Sequence, residues 1–264
     1  MNYEYICKNV ISAAVEAGMF IQSEAQKFSS DKVEIKGLNN FVSYVDKKAE
    51  KILVEALTDI IPESGFIAEE GTIEHHGEQF TWVIDPLDGT TNFIHGLPTY
   101  GISIALMDGK EIILGVVYEL NTKECFSAWK GSPAFLDGKQ ITVSKAPTVK
   151  DSLVATGFPY YDFDKLTAYL KSLEYFLKNS HGARRIGSAS VDLAYVACGR
   201  FEAFYEYGLQ PWDVAAGAFI LQQAGGKVSD FEGGSDFIFG KEIVATNGLI
   251  FDEFLGIIQK FLKA

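Results

Sequence analysis

An apolar run that drives into a cluster of carboxylates organises the reading of this chain. Trp82-Val83-Ile84 reads as a buried strand, and Asp85-Pro86-Leu87-Asp88-Gly89-Thr90-Thr91-Asn92-Phe93 follows at its end. Pro86 biases Asp85 towards an extended conformation. The chain is then expected to turn, so that Asp88 swings back beside Asp85 while the Leu87 carbonyl is left free. Two carboxylates and a backbone oxygen in so short a span suit a hard cation such as Mg2+, which takes oxygen ligands. Gly89 and Thr90 are expected to open a short helix whose exposed N–H groups and positive dipole end attract an anion. A metal beside a phosphate cradle points to phosphoryl chemistry. Asp-Pro-x-Asp-Gly is equally good turn chemistry, so the stretch alone does not decide between a site and a turn.

The period of the hydrophobic pattern changes along the chain. Tyr3, Ile6, Val10, Ala14, Ala17 and Ile21 recur at helical spacing, and so do Val45, Ala49, Leu53, Leu57 and Ile60. The second helix is expected from about Tyr44 to Ile61, with Ser43 and Asp46 as its capped start. Strands are then expected at Phe66–Glu69, Phe80–Ile84, Tyr100–Met107, Glu111–Tyr118 and Glu124–Lys130. Asp108-Gly109 is a two-residue hairpin signal, and Asp137-Gly138 marks another tight turn. The N-terminal half therefore reads as two helices on a largely antiparallel sheet.

Beyond Pro147 helices and strands alternate. A strand is expected near Leu153, helices near Leu166–Leu177 and Ala189–Cys198, and a strand at Ala203–Glu206. A helix over 213–224, strands at 227–229 and 242–246 and a final helix over 250–262 complete the pattern. These are two α+β halves, 1–147 and 148–264, sharing one interface as an integrated unit.

The formal net charge of −12 argues against nucleic acid or an anionic membrane surface as partner, since both call for clustered Lys and Arg. An acidic chain that binds an anionic substrate needs a recruited cation, and divalent metal is the obvious one. Cys7, Cys125 and Cys198 are odd in number and widely spaced, as reduced thiols in the cytoplasm would be. No secretory leader is evident near Met1, and no apolar run approaches the ~18 residues of a membrane span. A soluble cytoplasmic protein is expected.

Two more segments bear on the carboxylates. Glu69-Glu70 ends a strand, so one of the pair can reach the same sheet edge, although an exposed acidic strand end is the plainer reading. Asp213 opens the helix Val214–Ala224 after Pro211-Trp212, where Asp is a common N-cap. A carboxylate can cap and ligate at once.

WVIDPLDGTTNFIH and WDVAAGAFILQQAGG resemble the two signature motifs of the inositol monophosphatase family of Mg2+-dependent, Li+-sensitive phosphatases, and the order of elements matches over nearly the whole chain. The resemblance implies a layered α/β/α/β/α sandwich of the sugar-phosphatase type and a homodimer. It implies two or three Mg2+ per site: Glu69, Asp85 and the Leu87 carbonyl for the first, Asp85, Asp88 and Asp213 for the second, and a weaker third leaning on Glu69. Gly89 and Thr90 match the phosphate-binding N–H groups. Leu87, Asp88 and Asp213 adjoin the phosphate, and Gly187, Ser188, Ala189 and Glu206 fall where the family holds the substrate alcohol. Asp46 matches the residue that bonds the Thr90 hydroxyl, and Lys36 a basic residue near the outer metal.

The reaction so implied is hydrolysis of a phosphate monoester, inositol 1-phosphate or a similar small polyol phosphate, by direct attack of a metal-activated water. Glu69 and the Thr90–Asp46 pair take up the proton. Fructose 1,6-bisphosphate and nucleotide 3′-phosphates are alternative substrates on this fold, although GTTNF favours the inositol branch. Gln210 and Pro211 occupy a variable spot near the substrate. Asn40 stands where many members carry an acid.

Other features read more plainly. His75-His76 lies on a polar loop and is expected to ligate nothing. Arg184-Arg185 is expected in structural pairing or a subunit interface. Phe158-Pro159-Tyr160-Tyr161 is expected in packing, and Cys198 in the core. A haloacid-dehalogenase-like phosphatase has one residue between its motif aspartates, whereas Asp85 and Asp88 have two between them. A non-catalytic metal- or phosphate-binding regulator on the same fold is the alternative from another class.

Overall fold

The computed structural model describes residues 1–27, 33–37, 40–72 and 79–262, with only the backbone described for 33–37 and 40–42. Five layers alternate helix pair and sheet. The first layer is α1 (Tyr3–Ala25) against α2 (Tyr44–Ile60), preceded by a hairpin of β1 (Val33–Gly37) and β2 (Asn40–Ser43). Ser43 and Asp46 form the expected capping box of α2. The hairpin escaped sequence reading because its strands are only five and four residues long, although Val33-Glu34-Ile35-Lys36 does alternate.

The second layer is a seven-stranded sheet whose spatial order follows the chain: β3 (Gly65–Ala68), β4 (Phe80–Asp88), β5 (Gly101–Asp108), β6 (Glu111–Glu119), β7 (Glu124–Trp129), β8 (Ala134–Leu136) and β9 (Lys139–Ile141). Only β3–β4 is parallel. Asp108 pairs with Glu111, so the β5–β6 loop is Gly109-Lys110 and Asp108 still belongs to the strand. β4 is buried on both faces, which explains its unbroken apolar run. Trp82 and Ile84 pack towards α1 and α2, while Val83 packs the other way.

On that second face lies the central helix pair, α5 (Ala189–Ala197) and α6 (Pro211–Gln223). The fourth layer is a five-stranded sheet ordered β11 (Ala183–Arg184), β10 (Val154–Thr156), β12 (Ala203–Tyr207), β14 (Glu242–Thr246), β13 (Lys227–Ser229). α4 (Leu166–Asn179) and α7 (Phe251–Leu262) cover its outer face, with Phe176 stacked on Phe254 at 4.7 Å. The architecture is the α+β sandwich expected. No helix among the described residues is long and apolar enough to cross a membrane.

α6 is apolar all round because sheets flank it on two sides. It can approach β6 closely because both surfaces are stripped of side chains: a Cβ on Gly115 would lie 2.8 Å from the Ala216 carbonyl oxygen. Gly115→Ala should therefore force β6 and α6 apart and cost about 1–3 kcal/mol. Chemical denaturation measures it, and an unchanged midpoint would show that the two layers do not constrain each other here.

Candidate active site

Asp85 and Asp88 are three residues apart on β4, and strict alternation would send them to opposite faces of the sheet. The ladder to β5 pairs Asp85 with Ser103 but Asp88 with Gly101, so one extra residue is accommodated between them. This bulge inverts the parity of the strand and turns both carboxylates to one side. The expected turn is thus a bulge within a continuous strand. Leu87 buries its side chain among the α1–α2 core, and its N–H donates to Asp85 Oδ1 at 2.9 Å.

Asp213 reaches the same point from α6. It is the third residue of the helix, which begins at Pro211 and not after Asp213. Its Oδ2 accepts the Gln210 N–H at 2.6 Å, so the carboxylate ties down the helix start from inside and is no N-cap. Carboxylate oxygens of Asp85, Asp88 and Asp213 lie within 4.8 Å of one another, a group able to hold a cation. Glu69 follows β3, and its N–H donates to Ile84 O at 3.3 Å, which sets it beside the end of β4 on the same cavity.

Hydrogen bonds from the next ring of residues fix these groups. Asp88 Oδ2 accepts from Ser188 Oγ at 2.7 Å, Ser190 Oγ at 2.6 Å and Ser190 N at 2.8 Å. Asp46 Oδ2 accepts from the N–H and hydroxyl of Ser43, and its Oδ1 accepts from the Thr90 hydroxyl at 2.9 Å. That hydroxyl also lies 3.0 Å from the Leu87 carbonyl oxygen. Glu50, one turn further along α2, accepts the N–H groups of Glu70 and Thr72 at 2.8 and 2.7 Å and so shapes the chain after Glu69. Gly89 adopts a left-handed φ of 99° before α3 (Thr90–Ile94). Asn92 Nδ2 bridges Thr99 O and Ile186 O, clamping the α3 region to the segment before α5.

Burial and mutual repulsion raise the carboxylate pKa values. Asp85 is pushed well above its ordinary value, first by burial and then by Glu69, Asp88 and Asp213. Burial and the nearby Asp88 do the same to Asp213. Burial also raises Asp88 and Asp46, against the hydrogen bonds each accepts. A cluster that resists its own ionisation is one that a cation stabilises.

Glu69, Asp85, Asp88, Thr90 and Asp213 line one cavity of about 490 Å³. Gly187, Ser188 and Ala189 form part of its wall, with the Ser188 hydroxyl turned to Asp88. Glu206, near the end of β12, is buried in the wall of the same cavity, and its carboxyl is pushed up to about 8 by burial. The side chain of Lys36, on β1, and the residues His75 and His76 lie outside the described residues.

One expectation is corrected: Pro159, Tyr160 and Tyr161 line the cavity, so the aromatic run does more than pack. Arg185 lines it as well and bonds Tyr160, whereas Arg184 is exposed and among the described residues bonds the Ala183 carbonyl. Sequence reading also missed Glu50, Asn92, Ser190 and Asp192. Glu50 had a signal, since it sits four residues from Asp46 on one helix face; the others had none.

The inositol monophosphatase family model matches residues 2–262. Inositol-1-monophosphatase of Mesorhizobium japonicum is 37% identical over 97% of this chain and 96% of its own. Nus factor SuhB of Escherichia coli is 40% identical over 90% of this chain and 89% of its own. Among solved structures, extragenic suppressor protein suhB from Bartonella henselae superposes with a TM-score of 0.91 at 38% identity, covering 97% of this chain and 99% of that one. Inositol monophosphatase from Anabaena gives 0.86 at 32%, covering 99% and 98%. The chain belongs to the inositol monophosphatase family.

Proposed function

We propose that this chain is a Mg2+-dependent phosphate monoester hydrolase acting on inositol 1-phosphate or a similar small polyol phosphate. The observation that carries the reading is the convergence of Asp85, Asp88 and Asp213 within 4.8 Å in a cavity that Glu69 and Glu206 share. The donors are all oxygens and strongly acidic, which suits Mg2+ and poorly suits softer metals. Asp85, Asp88, Asp213, Glu69 and the Leu87 carbonyl would hold the ions. When bound, such ions lower the pKa of water and neutralise charge on the phosphate and the leaving oxygen.

The chain's own residues do the rest. Gly89 and Thr90 offer N–H groups to the phosphate at the start of α3, and Asp46 holds the Thr90 hydroxyl in a fixed direction. The Thr90–Asp46 pair and Glu69 are placed to take a proton from the attacking water. Ser188 and Ser190 hold Asp88 so that Oδ1 stays turned away from them. Glu206 accepts hydrogen bonds from the alcohol. A cytoplasmic homodimer belongs to the same reading. The designation Nus factor is carried by several relatives, and no residue of this cavity speaks for it.

Three outcomes test the proposal. Phosphate release from myo-inositol 1-phosphate should require Mg2+ and be inhibited by Li+; full turnover in excess chelator would leave a non-catalytic or metal-free protein as the better reading. Asp213→Asn keeps the bond from the Gln210 N–H while removing one charge from the cluster. Its kcat should fall roughly a hundredfold or more, while the metal-free Tm stays level or rises because a repelling buried charge is gone. A lower Tm with an unchanged kcat would make Asp213 a structural residue only.

The third outcome concerns Glu206, whose folded-state pKa of about 8 exceeds its ordinary 4.5. Ionisation therefore opposes folding, and the stability contributed by the neutral form is lost as pH rises from about 4.5 through 8. In chelator, Glu206→Gln should lessen the fall in Tm between pH 5 and pH 8.5 relative to wild type. An identical fall would show that Glu206 titrates in the ordinary range.

A further inference from the structure

Arg185 is the one basic side chain among the described residues lining the cavity, against seven acidic ones. A guanidinium so surrounded would be expected to form ion pairs. Among the described residues it forms none, and its one hydrogen bond runs from Nη2 to the Tyr160 hydroxyl. Nε is buried without a partner. The guanidinium instead lies over two rings, 5.4 Å from the Tyr160 centroid and 5.6 Å from that of Phe158. Two glycines leave room for the charged heads: a Cβ on Gly187 would lie 2.6 Å from Arg185 Nη1, and one on Gly157 would overlap the Glu206 carboxylate.

Acceptors line the same cavity. Asp192 is buried on α5 at the cavity wall, and its Oδ1 has no hydrogen-bond partner among the described residues. Glu206 feels Arg185 as its foremost attractive charge. The cavity wall thus carries an unpartnered donor, Arg185 Nε, and an unpartnered acceptor, Asp192 Oδ1, together with the buried carboxyl of Glu206. Leaving buried polar groups unpaired is costly, and a ligand that both donates and accepts removes the cost. A hydroxyl does both. A second phosphate or carboxylate on the substrate would please Arg185 but would meet Glu206 and Asp192.

We propose that Arg185, braced by Tyr160, contacts the alcohol part of the substrate and donates to its hydroxyl oxygens while Glu206 beside it accepts hydroxyl hydrogens. The pair selects a substrate with neighbouring hydroxyls near the phosphate ester. This rests on the phosphatase reading above and adds to it a specificity residue that the family motifs do not contain.

The test compares kcat/KM on myo-inositol 1-phosphate, which has neighbouring hydroxyls, and p-nitrophenyl phosphate, which has none. Arg185→Ala should lose about tenfold more on the inositol ester than on the nitrophenyl ester, chiefly through KM, because a site built to bond hydroxyls discriminates by them. Arg185→Lys should not restore the difference, since an ammonium cannot reproduce the guanidinium fork. Tyr160→Phe keeps the ring and removes the brace, and should shift the same ratio in the same direction by about threefold; it carries the test alone if Arg185→Ala does not fold. Equal losses on both esters, or rescue by Lys, would overturn the proposal and make Arg185 a charge that attracts phosphate. A wild-type protein that releases phosphate from neither ester overturns the phosphatase reading itself, and the role given to Arg185 falls with it.

Discussion

Three carboxylates that repel one another, two of them buried and the third partly so, sit where a buried strand meets a buried helix, and the surrounding structure is arranged to hold them there. Such a cluster opposes folding in the absence of a counter-charge, because each ionisation must work against low polarity and against its neighbours. It can persist only where the backbone leaves it no alternative. The bulge at Pro86-Leu87 supplies that compulsion for Asp85 and Asp88, since both positions are locked by ladder pairs on either side. Asp213 is compelled by the start of α6, whose packing between two sheets fixes its axis. A cation bound among these carboxylates would relieve that repulsion.

The second ring of contacts gives that arrangement its direction. α2 provides two buried acids one turn apart, and each governs one loop. Asp46 holds Thr90 and thereby the start of α3, whereas Glu50 holds the Glu70 and Thr72 N–H groups and thereby the exit of β3. One amphipathic helix therefore sets the spacing between Glu69 and Thr90, which lie on different strands' ends. From the opposite side Ser188 and Ser190 use both their hydroxyls on a single oxygen of Asp88. Residues before and after the central sheet strand thus converge on it, which is why nearly the whole chain is needed to build one site.

Much of this could be read in the amino-acid order, and the failures have physical causes. Helix and strand placements held wherever the hydrophobic period ran for two turns or four residues, as in α1, α2, β4 and the β12–β14 region. The β1–β2 hairpin is the exception: Val33-Glu34-Ile35-Lys36 alternates, but Asn40-Phe41-Val42-Ser43 supplies no matching period. Asp213 looked like an N-cap because Asp favours that position, but Pro211 at the first helical position outweighs it and shifts the start by two residues. The carboxylate cluster was legible because its members follow apolar runs that end abruptly. Arg185, Tyr160 and Asp192 were not, since their meaning depends on which side of α5 and β11 faces the cavity, and a two-residue strand with no alternation conceals that. Local order announces the groups that bind charge better than the groups that read shape.

That asymmetry follows from how the two tasks are done. Holding cations takes many like charges in one place, and like charges in one place leave a compositional trace in a chain whose net charge is already −12. Reading an alcohol takes a few donors and acceptors of opposite kind, each contributing little to composition and arriving from a different element. Tyr160 comes from the loop after β10, Arg185 from the end of β11, Asp192 from α5 and Glu206 from β12. The metal corner is built on the end of one rigid, doubly buried strand, so it tolerates little change. The opposing groups come from two loops, one helix and one central strand, and of these only Tyr160 and Arg185 lie outside regular elements. If the chain hydrolyses polyol phosphates as proposed, its preference among alcohols would shift most readily at Tyr160 and Arg185, which lie in neither a helix nor a strand.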